Sequence, residues 1–147
     1  MERTNKLINS ILKIAVKNIG SNVEWDSMTL NAFVINKMVE ITAFYTTEEQ
    51  HNYFNPKNQG QVTRDEDLTF LFKDLREEMY SMSSDKGAWF TAYFTVQNNG
   101  QFQTHFEYEE KPEFTYEPSK EKYIDDLNKF PREKSLIPQW LKNIVNS

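Results

Sequence analysis

Apolar residues recur at three- and four-residue spacing near the start of the chain. Leu7, Ile8, Ile11, Leu12, Ala15 and Ile19 form one stripe over residues 4–19, and Gly20 follows. That period predicts an amphipathic helix with a glycine stop. Over residues 28–46 the period drops to two. Met28, Leu30, Ala32 and Val34 alternate with more polar neighbours, and so do Val39, Ile41, Ala43 and Tyr45. A two-residue turn at Asn36-Lys37 sets Val34 opposite Val39, Ala32 opposite Ile41 and Leu30 opposite Ala43. Both apolar sets then share one face, which supports a hairpin in that register.

Residues 47–62 (TTEEQHNYFNPKNQGQ) are polar and contain Pro56 and Gly60. A long loop is expected there, and loops of that length in a compact domain are often functional or mobile. Thr63 and Glu66 have the S/T-x-x-E spacing of a capping box. A helix should follow, with Leu68, Leu71, Phe72, Leu75, Met79 and Met82 on its buried stripe and Ser83, Ser84 and Gly87 ending it.

Phe90, Ala92, Phe94 and Val96 then alternate along one strand, and Phe102, Thr104, Phe106 and Tyr108 along the next. A two-residue Asn-Gly turn would set Phe94 against His105 and Val96 against Gln103. That register puts polar residues opposite the core face. A three-residue loop, Asn98-Asn99-Gly100, sets Val96 against Phe102, Phe94 against Thr104, Ala92 against Phe106 and Phe90 against Tyr108. The three-residue loop is preferred, with Gly100 at positive φ as a bulge residue.

Beyond Tyr108 the chain is acidic and broken by prolines (EEKPEFTYEPS). Ser119 can cap a short helix through Lys129, with Tyr123, Ile124, Leu127 and Phe130 inward and Pro131 as its stop. Pro138 fits the first turn of a last helix holding Trp140, Leu141, Ile144 and Val145. The order is helix, hairpin, helix, hairpin, helix, helix. This reads as a single α+β domain over 1–147, its antiparallel sheet of about four strands packed with helices.

The length of 147 residues is enough to bury a real core. Cysteine is absent, which removes disulfides, thiolate zinc sites and cysteine nucleophiles together. No stretch approaches the roughly 18 continuous apolar residues of a membrane span. The apolar stretch from Leu7 to Ile19 is interrupted by Lys13 and Lys17 and lacks a small-residue cleavage site, so it does not read as a signal peptide. A cytoplasmic location is the expectation.

There are 17 Lys and Arg against 22 Asp and Glu, for a formal net charge of −5. An acidic chain with no basic tract is poorly suited to nucleic acid, because phosphate contacts need clustered Lys and Arg. The charge is concentrated. Residues 1–60 balance to zero, whereas 107–126 hold eight acids against three lysines.

The common chemical motifs are missing. Asp65-Glu66-Asp67 has no EF-hand spacing around it, and its acids suit the first turn of a helix. Glu48-Glu49-Gln50-His51 lacks the second histidine of a zinc helix and reads as a solvated loop. His105, next to Glu107 on an outer strand face, reads as a surface histidine. No nucleophile elbow, phosphate-binding glycine loop or dinucleotide fingerprint is present. No cofactor, metal or catalytic residue is expected.

In segment 107–126, Tyr108, Phe114, Tyr116 and Tyr123 interleave with the acids. One reading is a solvated edge whose aromatics close the core. The other is a docking surface, since Tyr is enriched at interface hot spots and an acidic field speeds association with a basic partner. A third option for the protein as a whole is a small-molecule or regulatory domain with a pocket lined by Phe90, Phe94, Phe102 and Tyr108.

Several stretches together resemble the YezG-like family of bacterial immunity proteins, small proteins encoded beside polymorphic secreted toxins. They are an N-terminal helix leading to Trp25 in NVEWDSM, the strand EITAFYT, the helix DLTFLFKDLREEMYSM and the hairpin GAWFTAYFTVQNNGQFQTHFEYEE. The tail PSKEKYIDDLNKFPREKSLIPQWL is also similar. The resemblance implies inhibition by binding, with no catalytic residues. The implied partner is the C-terminal domain of a cognate toxin, basic and with a nuclease as the favoured activity. The contact surface then expected is Tyr108, Glu109, Glu110, Glu113, Tyr116, Glu117, Glu121 and Asp125, with the 47–62 loop second.

Overall fold

Helix α1 spans Glu2–Lys17 and buries Leu7, Ile8, Ile11, Leu12 and Ala15, the stripe expected from its period. It starts two residues before the expected boundary, with Glu2 in the first turn and Lys17 in the last. Both charges suit the helix dipole. The computed structural model describes residues 1–48 and 50–147. Residue 49, in the Glu48-Glu49-Gln50-His51 run, lies outside the described residues.

Strands β1 (Ser27–Ile35) and β2 (Met38–Thr47) form the first hairpin. Val34 faces Val39, Ala32 faces Ile41 and Leu30 faces Ala43, as the alternation requires. The expected loop that follows is in part a strand. β3 (Gln50–Tyr53) pairs antiparallel with β2, setting Phe44 beside Tyr53 and Thr46 beside His51. Its residues are mostly exposed, so backbone pairing rather than apolar burial holds it, and the polar sequence carries no strand signal. The rest of the segment is pinned. The Asn18 amide at the end of α1 donates to Pro56 O at 2.9 Å and to Asn58 Oδ1 at 3.1 Å.

The Thr63–Glu66 capping box is real, but it closes a 3-10 turn at Arg64–Glu66. Helix α2 (Leu68–Met82) has its own cap, Asp67, whose Oδ1 accepts the Thr69 N–H at 2.9 Å. Leu68, Leu71, Phe72 and Leu75 are buried. Met82, expected on the same stripe, is exposed, and the charged Arg76 is buried instead.

Strands β4 (Thr91–Gln97) and β5 (Phe102–Glu107) form the second hairpin in the three-residue-loop register, with Val96 against Phe102 and Phe94 against Thr104. Gly100 lies at φ +93°, a conformation open to glycine at little cost. Helix α3 spans Lys120–Lys129 and α4 spans Gln139–Val145. Ser119 occupies the α3 cap position without a side-chain cap bond, and Pro138 sits just before the first turn of α4.

The sheet order is β3-β2-β1-β4-β5, all neighbours antiparallel. The described residues therefore form a single α+β domain with four α-helices and five strands, one strand more than expected. One sheet face, through Met28, Leu30, Ala32, Phe94 and Val96, buries the stripes of α1 and α2. Burying each large side chain there contributes roughly 1.5–3 kcal/mol. A second cluster joins Ile35 and Phe90 to Tyr123 of α3 and Leu141 of α4, where the β1–β2 turn emerges. Arg76 and Asp126 are paired in the interior between α2 and α3. No helix among the described residues is long and apolar enough to cross a membrane.

Candidate protein-docking site

The chain leaving β5 reverses at once. The Glu107 carboxylate accepts the N–H groups of Glu109 and Glu110 at 3.2 and 3.3 Å. Those two bonds hold its carboxyl below the ordinary range, the Glu109 N–H being the larger cause. Arg132 fastens the base of this turn. Its Nη2 donates to Tyr108 O at 2.8 Å and Ala88 O at 2.9 Å, while its guanidinium lies 4.8 Å over the Phe90 ring. Trp140 Nε1 adds a bond to Glu109 O at 2.6 Å.

The segment then crosses the sheet near the β1–β2 turn. Phe114 meets Phe33 edge-on, with ring centroids 6.0 Å apart. The Thr115 N–H and hydroxyl donate to the two Glu40 carboxylate oxygens at 2.8 and 2.6 Å. Pro112 and Pro118 are buried. A backbone held at so many points presents its remaining side chains with little ordering cost on binding.

Those side chains divide into three groups. Glu109, Glu110, Glu113 and Glu121 are exposed and hold no ion pair among the described residues, and Tyr116 is 79% exposed. These five of the expected contact residues face solvent. Glu117 and Asp125 are engaged within the molecule. Glu117 pairs with Lys111 and accepts the Tyr123 hydroxyl at 2.8 Å, and Asp125 meets Lys37 at 3.0 Å. Burial pushes the Glu117 carboxyl up, but the Lys111 and Tyr123 bonds bring it below its ordinary value. Tyr108 is half-buried against the core, and burial raises its phenol against the pull of Arg132.

Asp126 contributes to the acidic count of 107–126 but not to its surface. It is buried, and Arg76 balances its charge. The outward field is therefore weaker than the raw count, and it centres on residues 109–113 and 121. Sequence periodicity gave one hint of this, since Asp126 falls one helical turn after Tyr123 on the inward side of α3.

The four aromatics considered for a small-molecule pocket are dispersed. Phe94 lies in the core under α2, Phe90 in the second cluster, and Phe102 on the exposed rim. Among the described residues no group of three potential metal ligands converges. No protein-family model matches the chain, and no curated protein matches it.

Proposed function

We propose that the chain is an immunity protein that binds and neutralises the toxic C-terminal domain of a cognate secreted toxin in the cytoplasm of the producing bacterium. The observation that supports this reading best is the rigidly mounted turn that presents Glu109, Glu110, Glu113 and Tyr116 to solvent. An acidic, preorganised surface with an aromatic anchor suits a basic protein partner. A nuclease is the favoured toxin, because its substrate cleft must be positive to hold phosphates. The inhibitor then works by occupancy and needs no chemistry of its own.

The test is co-expression. The C-terminal domain of a large toxin encoded directly upstream, produced alone, should arrest growth, and this chain should restore it. Continued arrest in the presence of the folded chain would remove the proposal.

A further inference from the structure

The sheet face opposite α1 and α2 is built unlike the buried one. Its residues are those at alternate register positions, and over β3, β4 and β5 it is open. Tyr53 is 75% exposed, Tyr93 40% and the His105 side chain 66%. Both histidines of the chain sit here, each stacked on an aromatic ring. His51 lies flat on Phe44 at 4.4 Å, and His105 on Tyr93 at 5.8 Å. Tyr53 meets the same Phe44 at 5.5 Å. Rings that lean on one another at the surface are already ordered, so covering them costs little side-chain entropy.

The charged strand positions on this face, Glu40 and Glu107, are both acidic. Among the described residues, no Lys or Arg occupies a strand position on it. Glu107 lies at its β5 edge, and Glu110 and Glu113 rise from the adjoining turn. Their proximity registers on Tyr93, whose phenol is raised first by burial and then by Glu113, Glu107 and Glu110. At the centre of the face, Asn31 stands between its register partners Thr42 and Tyr93.

We infer that this aromatic sheet face is itself a docking surface for a basic protein segment, with Arg or Lys side chains seated over Tyr93 and Tyr53 and drawn by Glu107, Glu110 and Glu113 along the β5 edge. The inference deepens the immunity reading and rests on it for the identity of the partner, since it extends the acidic turn into one continuous contact area. Charge complementarity selects the occupant. Guanidinium groups bind both carboxylates and aromatic faces. A second copy would bring another −5 onto the same acidic face, and nucleic acid would bring phosphates.

Two measurements decide it. Hexa-arginine peptide is titrated into the full chain and followed by amide chemical shifts. Shifts clustered at residues 44, 51, 53, 93 and 105 support the inference. Shifts confined to 109–121, or none, overturn it. Separately, Tyr53→Lys and Tyr93→Lys, each checked for native circular dichroism, are compared with wild type for binding of the purified toxin domain from the co-expression test. The expected result is an affinity loss of about tenfold or more for each variant. Full affinity in both variants would overturn the inference while leaving the immunity reading standing. If the wild-type chain fails to protect cells but the peptide maps to the sheet face, the immunity reading falls and the surface remains.

Discussion

Arg76 and Asp126 meet as a two-pronged ion pair inside the protein, Nη1 to Oδ1 at 2.6 Å and Nη2 to Oδ2 at 2.9 Å. Each partner has a further bond. Arg76 Nε donates to Trp89 O at 2.5 Å, and Asp126 Oδ1 accepts the Asn36 N–H at 2.7 Å. The pair thus connects α2, α3, the lead-in to β4 and the β1–β2 turn. The Phe130 ring packs 4.9 Å from the guanidinium and keeps water away.

Removing one partner should be far worse than removing both. Arg76→Met leaves a buried carboxylate with no countercharge, and a loss of about 3–5 kcal/mol is expected. Arg76→Met combined with Asp126→Leu should recover a large part of it. Recovery stops short of complete, because the Asn36 N–H and Trp89 O lose their partners at about 1–3 kcal/mol each. Urea denaturation of the single and double variants measures the difference. A double variant no more stable than the single would show that the carboxylate's charge is not the cause.

Gly87 is the glycine least able to accept a side chain. It lies at φ +82°, ψ −173°, and a Cβ there would run into the Arg132 side chain that clamps Tyr108 and Ala88. That backbone region belongs almost wholly to glycine and costs other residues about 1–3 kcal/mol. Gly60, at φ +77° with open space around it, is the control. Thermal melts should show Gly87→Ala well below Gly60→Ala, and equal melting points would refute the steric argument.

Stability should fall at both ends of the pH range for different reasons. Glu107 and Glu117 lie below their ordinary values in the folded protein. Their contribution is present above the unfolded carboxylate value of about 4.3 and is lost as pH falls through the folded values. Tyr123 behaves oppositely. Burial, and then its bond to Glu117, raise the phenol, so its contribution is present below the unfolded value of about 10 and is lost as pH rises beyond it. Glu107→Gln should flatten the acid side of the stability curve and Tyr123→Phe the alkaline side. Denaturation series from pH 3 to 11 would expose an error if either variant keeps the wild-type slope.

Reversing Glu109, Glu110 and Glu113 to lysine tests steering. The three are exposed, so their effect should appear in association rather than dissociation. At low salt the on-rate for the toxin domain should drop about tenfold or more, and the difference should shrink as salt is added. Stopped-flow binding at two ionic strengths makes the comparison, and an unchanged on-rate at low salt would take this turn out of the interface.

Both hairpin registers were legible in the sequence because two constraints agreed on each. Alternating apolar positions had to share a face, and the turn length had to allow it; Gly100 settled the second hairpin. β3 was not legible, since an exposed edge strand owes its place to backbone bonds that leave no apolar pattern. Arg76 and Asp126 were missed for a related reason. Arg76 reads as a surface charge when its helix is taken alone, the spacing of Asp126 from Tyr123 is only a hint, and the pairing of the two across α2 and α3 is what makes their burial tolerable. The acidic turn was legible as composition. That Glu117 and Asp125 are engaged internally depends on Lys111, Tyr123 and Lys37, a matter of tertiary placement. The open aromatic face was not legible because two of its five rings, His51 and Tyr53, stand on β3.

The strand order also sets a timetable for the newborn chain. β3, β2 and β1 are neighbours in sequence and can zip up locally, as can β4 and β5. The two halves are stitched by one non-local seam, β1 to β4, from Ser27–Gln97 to Phe33–Thr91. Closing so long a loop is slow, so the seam should limit folding. Until the ribosome has released residue 97, β1 stands as a bare hydrophobic edge, the kind that invites pairing with the wrong chain.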